Sequence, residues 1–224
     1  MEDWVVLDQA VAADGKELLL RQRGGAFEIR CNGFELMANR AHQSEQMLAR
    51  LGCSGLRRRA APRVLIGGLG MGYSLRAALD ALPARARVVV AELFPQVMAW
   101  NQGVLGALAG HPLRDPRVTV ATVNVVARLE GETFDAILLD VDNGPEAVML
   151  PGNARLYTVR GIRRLAEALA PHGRLGFWSA DDSPRFEAAL ADAGLRWWRR
   201  RVPARGVAGD PLHTLYFGTL RRAV

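Results

Sequence analysis

The chain has 224 residues, half of them hydrophobic, and its 29 basic and 23 acidic side chains leave a formal net charge of +6. That length suits one substantial domain with a small appendage. It contains no apolar run of about 18 residues, so neither a transmembrane helix nor a membrane partner is expected. The basic excess is almost all arginine, in scattered clusters without aromatic interleaving, so no nucleic-acid partner is expected either.

The acidic start Met1-Glu2-Asp3-Trp4 lacks the basic-then-apolar layout of a signal peptide, and a cytoplasmic location is expected. The first forty residues read as β structure. Val5-Val6-Leu7, Leu18-Leu19-Leu20 and Phe27-Glu28-Ile29-Arg30 are short extended runs. Asp14-Gly15 and Asn32-Gly33 supply the residue types that tolerate positive φ in hairpin turns. Ala41 to Leu51 has helical character, and Gly52 to Pro62 reads as a linker broken by glycines, the triplet Arg57-Arg58-Arg59 and Pro62. This divides the chain into a β-hairpin region with its helix, 1–56, and a larger α/β domain, 57–224. Cys31 and Cys53 fit neither a disulfide framework nor a zinc spacing; they read as two reduced thiols, and no metal site is expected.

From Arg63 onward strands and helices alternate. Strands are expected at 63–67, 87–92, 117–122, 134–140, 173–179, 195–202 and 213–219, and helices at 73–82, 95–107, 158–169 and 183–193. The run Phe134 to Asp140 is apolar enough to be buried on both faces, as central parallel strands are. Alternation of this kind predicts an open, mostly parallel sheet with helices on both sides. Only the loop Pro203 to Leu212 separates the last two strands, which fits an antiparallel hairpin at a sheet edge.

The chemistry concentrates at strand exits. The first strand of the alternating part ends in Gly67-Gly68-Leu69-Gly70-Met71-Gly72, and a helical pattern follows at once. Glycine there lets the chain turn with positive φ and lets a ligand approach bare backbone, while the amides at the helix start favour polar or anionic groups. The next strand ends in Glu92, a carboxylate placed to accept both hydroxyls of a ribose. Together these features predict a nucleoside-containing ligand. The fourth exit is Asp140-Val141-Asp142-Asn143-Gly144-Pro145. Asp140 and Asp142 could hold an amine or take its proton, or Asp142 to Pro145 could simply be a turn, which its residue types favour. No Walker lysine follows the glycine loop, and no serine elbow or hydrolase triad is present. His172 reads as a turn residue, and His213, beside the loop at Gly209-Asp210-Pro211, either lies on the surface or faces the cleft. Trp178, near a strand end, either packs in the core or reaches the cleft.

These residues resemble the spermidine synthase family, the aminopropyltransferases built on the S-adenosylmethionine-dependent methyltransferase fold, over nearly the whole chain. Asn32-Gly33, Arg40, Ser44 and Gln46 are similar to its hairpin and gatekeeping helix, Gly67 to Gly72 to its glycine loop, and Glu92 to its ribose acid. Asp115-Pro116-Arg117-Val118 is similar to the entry of its third strand, Phe134 to Asp140 to the strand ending in its catalytic aspartate, and Leu156-Tyr157 and Leu169 to Gly173 to the following helix and turn. The resemblance implies a Rossmann-like class I S-adenosylmethionine methyltransferase fold of the α/β class, with a mostly parallel seven-stranded sheet, a small N-terminal β domain, and a homodimer. It implies Asp140 and Asp142 as catalytic residues. It implies Gln46, Gly67, Gly68, Gly70, Gly72, Glu92, Asn124 and Asp140 as the residues that bind the donor, S-adenosylmethionine or its decarboxylated form. The implied acceptor is a small-molecule amine.

The chain also departs from the family. Gly70 stands where the family has an aspartate, Val123-Asn124 where it has Asp-Gly, and Glu45 where it has a tyrosine; the turn after Asp140 is shortened. An aspartate at position 70 would grip the aminopropyl ammonium and repel the carboxylate of the intact donor. A like-charge contact at about 4 Å costs on the order of 4 kcal/mol in a partly buried site. Gly70 removes that repulsion, which leans the expected donor slightly toward the intact form; the expected activity is aminopropyl (or methyl) transfer, with a methyltransferase as the alternative. Loss of the family aspartates also leaves open a non-catalytic nucleoside-binding protein.

Overall fold

The computed structural model describes residues 3–11 and 15–221. Asp14 of the first expected hairpin turn lies outside the described residues. The N-terminal part is a four-stranded antiparallel sheet of β1 (Val5–Val11), β2 (Glu17–Arg23), β3 (Ala26–Cys31) and β4 (Phe34–Ala38), ordered β1-β2-β3-β4. The Asn32-Gly33 turn is present, both residues having positive φ. β4 was not legible as a strand: Phe34 and Glu35 are exposed and its burial shows no clean alternation.

Helix α1 (Gln43–Gly52) follows, and then a seven-stranded sheet holds β5 (Arg63–Gly67), β6 (Arg87–Ala91), β7 (Val118–Ala121), β8 (Phe134–Leu139), β9 (Leu169–Ser179), β10 (Leu195–Pro203) and β11 (Leu212–Leu220). Its order is β10-β11-β9-β8-β5-β6-β7, parallel except for β11, which pairs antiparallel with both β9 and β10. All six residues of β8 are buried, as its apolar run predicts. The helices are α2 (Tyr73–Ala81), α3 (Pro95–Gln102), α4 (Val159–Glu167) and α5 (Pro184–Asp192).

Two boundaries differ from expectation for local reasons. α3 stops at Gln102 because Gly103 leaves the helical region, and a short 3-10 turn, Gly106–Ala109, completes the segment. β9 starts at Leu169, earlier than expected. Phe134 pairs with Leu169 but Ala136 pairs with Arg174, so the intervening residues bulge out, with His172 in the left-handed region at φ 64°.

The linker is anchored to the sheet: Arg59 pairs with Asp135, whose other oxygen accepts the Arg63 amide at 2.7 Å. The two sheets share a core, in which Leu18, Leu20 and Ile29 join one buried cluster with Leu48, Val64, Ile66 and Leu138. Cys31 and Cys53 are buried and form no disulfide. No described helix is long and apolar enough to cross a membrane.

The chain runs from β5 outward to β6 and β7, then returns to place β8 on the other side of β5. The crevice at the carboxyl ends of β5 and β8 is therefore the topological switch point, where open α/β sheets bind ligands.

Candidate active site

The glycine loop leaves β5 with Gly68, Gly70 and Gly72 all at positive φ. Gly68 is forced by contact as well as conformation. At φ +87° a side chain is strained, and a Cβ there would run into the carbonyl oxygen of Asp140. The loop thus lies directly on the exit of β8. A Cβ on Gly70 would instead meet the Sδ and Cε of Met37 at 2.7 and 2.6 Å. The thioether of β4 covers the place where a carboxylate at position 70 would stand. Asn101 Nδ2 donates to the Gly70 carbonyl at 2.7 Å and holds the loop from α3.

These elements enclose a cleft that opens to solvent. Gly68, Gly70, Glu92, Asn124, Asp140 and Asp142 line it, together with Glu45 and Trp178. Ile29, Leu36 and Met37 of the N-terminal sheet form part of its wall. Gly67 and Gly72 are buried at the two ends of the loop and do not line the cleft; they shape it.

Glu92 ties the loop to the exit of β6. Its Oε2 accepts the Leu69 amide at 2.8 Å and its Oε1 the Phe94 amide at 2.9 Å. Burial raises its pKa, against the lowering effect of the Phe94, Leu69, Leu93 and Gly70 amides. The carboxylate faces the cleft, but it also organises the loop. The side chain of Asn124 caps the short 3-10 turn Val125–Leu129, its Oδ1 accepting the Val126 amide at 3.0 Å.

Asp140 and Asp142 differ. Asp140 accepts one side-chain hydrogen bond, from Ser74 Oγ at 2.7 Å, and burial pushes its pKa up to about 6. Asp142 is 6% exposed and accepts the Met149 amide at 2.5 Å, the Leu150 amide at 3.3 Å and Asn153 Nδ2 at 3.0 Å. It lines the cleft, yet its oxygens are spent on holding the segment that follows the turn. In this structure Asp142, implied as a catalytic residue, lines the cleft as a loop-organising acceptor.

Helix α1 brings into the cleft a different residue from the one the resemblance implies. Ser44, Glu45, Leu48, Ala49 and Gly52 are its buried residues. Positions 45, 48, 49 and 52 recur at helical spacing and form one inward stripe. Glu45 continues that stripe into the cleft. Gln46, turned about 100° around the helix, does not line the cleft, and its Oε1 faces Arg50 Nη2 at 3.5 Å. Burial, reinforced by the charge of Asp140, raises the Glu45 pKa well above the usual carboxylate value. An acid in the seam of an amphipathic helix was the available signal for this residue.

Trp178 reaches the cleft with one side of its ring, and its Nε1 donates to Ser44 Oγ at 2.9 Å. Ser44 Oγ lies 2.8 Å from His213 Nδ1, so the half-buried His213 joins this network beside the cleft. Burial lowers the His213 pKa. Arg40 is spent on Glu28 and Glu35, outside the cleft. Among the described residues, no arginine, lysine or histidine lines the cleft, and no group of three or more His, Cys, Asp or Glu is placed to hold a metal ion.

No protein-family model and no curated protein sequence matches the chain. Solved structures do. A spermidine synthase in complex with the transition-state analogue AdoDATO superposes with a TM-score of 0.73 at 16% identity, covering 95% of this chain and 71% of that one. The spermidine synthase of Thermotoga maritima gives the same TM-score of 0.73 and identity of 16%, covering 95% and 72%. Human methyltransferase-like protein 13 in complex with SAH gives 0.59 at 18% identity, covering 80% and 82%. The fold is thus spermidine synthase-like, of the class I S-adenosylmethionine methyltransferase type.

Proposed function

We propose that this chain is a group transferase that moves an alkyl group from the sulfonium of S-adenosylmethionine, or of its decarboxylated form, to an amine. The observation that carries this reading is the meeting of Asp140, Glu92 and the glycine loop in one cleft that has no basic side chain. Such a cleft suits a cationic donor and a cationic acceptor. In this reading the ribose hydroxyls donate to Glu92, and the base lies among Leu93, Phe94, Val123 and Asn124. The acceptor ammonium passes one proton to Asp140. The freed lone pair attacks a carbon next to sulfur, the C–N bond forms as the C–S bond breaks, and the electron pair stays on sulfur in a neutral thioether. That leaving group needs no acid, so catalysis rests on orientation and on deprotonation of the nucleophile. A carboxyl titrating near 6 is a better proton acceptor at neutral pH than an ordinary aspartate.

Aminopropyl transfer is the leading form. It is supported by the fold shared with the spermidine synthases and by the absence of a basic side chain in the cleft to meet the carboxylate of an intact donor. Methyl transfer is the second form, favoured by Gly70, which puts no carboxylate against that of the intact donor. Incubating the protein with each sulfonium and a panel of amines separates them: methylthioadenosine marks aminopropyl transfer and S-adenosylhomocysteine marks methyl transfer. Nucleoside binding with neither product from any acceptor would return the chain to a non-catalytic role.

A further inference from the structure

The cleft contains four carboxylates, and they divide into two kinds. Glu92 and Asp142 have their oxygens engaged by backbone amides and, for Asp142, by Asn153. Glu45 and Asp140 do not. Glu45 is 6% exposed, lines the cleft, and its Oε2 has no hydrogen-bond partner. Asp140 has the single Ser74 bond, and the same hydroxyl lies 3.3 Å from the Glu45 carbonyl oxygen, so α1, α2 and β8 converge at this point. The titratable groups facing the pair are Tyr73, which feels the Glu45 charge, and Tyr157, which feels those of Asp140 and Asp142. Neither is cationic. A buried carboxylate without a donor or countercharge is unfavourable, and a protein tolerates it where a ligand completes it.

A primary ammonium supplies what is missing: one positive charge and three N–H donors. The rest of the wall offers no second pair of unbonded carboxyls, so the ammonium of a decarboxylated donor would have to rest on backbone or amide oxygens. Ile29, Leu36, Met37, Leu150 and Trp178 give an apolar surface, and the other two acids are already bonded. We propose that Glu45 and Asp140 together seat a single ammonium of the acceptor, that Glu45 is its specificity-determining residue, and that the acceptor carries one cationic head on an uncharged remainder. This rests on the transferase reading and narrows it to monoamines, away from diamines and polyamines. Without a ligand the two carboxyls share a proton, because neighbouring carboxylates resist ionising together. When the ammonium enters, both ionise and that proton leaves to solvent.

The test is calorimetric titration of the full chain with n-butylammonium chloride, and with the α,ω-diammonium of the same chain length. Each titration is run with and without saturating methylthioadenosine, in buffers of different ionisation enthalpy near neutral pH. Wild type should bind n-butylammonium with release of up to about one proton, and the diammonium no more tightly. Glu45→Gln should weaken n-butylammonium binding by about tenfold or more and abolish proton release. Methylthioadenosine affinity in that variant should stay roughly unchanged, since the nucleoside contacts are elsewhere. Glu45→Asp keeps the charge and should restore proton release and part of the affinity. Unchanged butylammonium affinity in Glu45→Gln, no binding by wild type under either condition, or a roughly tenfold wild-type preference for the diammonium would each overturn the proposal. Failure of methylthioadenosine to bind wild type would instead overturn the transferase reading, and the titrations made without nucleoside would still decide the ammonium seat.

Discussion

Asp140 receives one hydrogen bond in a site that excludes much of the water, and burial therefore dominates its titration, raising it from 3.8 to about 6. A carboxyl whose folded-state pKa lies above its unfolded value binds its proton more tightly when folded. It lowers stability as pH rises from about 4 to about 6, by on the order of 3 kcal/mol in all, and contributes no penalty below that window. Asp140→Asn removes the titration, so the decline in unfolding free energy across the window should flatten in urea melts taken at successive pH values. In the same variant turnover should fall by about 10²–10⁴-fold, the span for loss of a general base, with nucleoside binding retained. Wild-type kcat/KM should rise with pH through about 6, the free-enzyme value. Glu92 has two duties. Glu92→Gln exchanges one acceptor oxygen for an amino group facing the Leu69 or Phe94 amide. Methylthioadenosine affinity should drop by about tenfold or more, and thermal melts should show a stability loss of about 1–3 kcal/mol. A drop in stability with no change in affinity would leave Glu92 as a loop fastener alone.

The glycine loop and the segment after β8 act as elements. Gly68 abuts backbone, the Asp140 carbonyl, which cannot yield without moving β8, whereas Gly70 abuts the end of a flexible methionine. Gly68→Ala should therefore lose at least about 2 kcal/mol and nucleoside binding with it, while Gly70→Ala should lose about 1–2 kcal/mol, the penalty of a left-handed residue. Equal melting temperatures for the two variants would mean that the loop is free to lift off β8. Asp142 fastens the chain at Met149, Leu150 and Asn153. Asp142→Asn leaves fewer acceptor sites than donors there and should accelerate hydrogen exchange at the Met149 and Leu150 amides. A raised acceptor Michaelis constant without any change in exchange would restore the amine-binding role.

Across the whole molecule, charge is segregated. The chain carries a net +6, yet its cleft is lined by acids and by no base. The described arginines lie outside the cleft, many in ion pairs such as those of Arg199 and Arg201 with Asp182. The N-terminal sheet contributes to the wall of the cleft through Ile29, Leu36 and Met37, so the small sheet and the larger one build a single site. Its outer edge strand is unusual: Val5, Val6 and Val11 of β1 are 59, 53 and 65% exposed. An exposed apolar edge strand is a pairing surface unless it is covered. We propose that two copies of the chain meet through this edge, as the dimer implied by the family resemblance would require. Sedimentation should give a dimer, and Val6→Lys should shift it toward monomer; an unchanged dimer would place the contact elsewhere.

The sequence by itself determined the sheet and the two acids at its exits. The mostly apolar run 134–139 between helical patterns reads as a buried strand, clustered glycines at 68 and 70 permit a loop that departs from ordinary backbone, and polar residues at strand ends fall at the carboxyl edge of a parallel sheet. These are local signals, carried by periodicity and by the conformational range of each residue. Which acids stay free was decided by tertiary structure alone. Asp140 and Asp142 are two residues apart and chemically identical, but only packing brings Met149, Leu150 and Asn153 onto one and the Ser74 hydroxyl onto the other. Likewise, neighbouring positions on α1 differ by about 100° in direction, and the seating of Leu48 and Ala49 in the core turns Glu45 inward and leaves Gln46 out. The helical stripe through 45, 48, 49 and 52 was a local sign of facing, but which hydrogen-bond partners reach each acid depends on how the packed segments come together, and no local pattern encodes that.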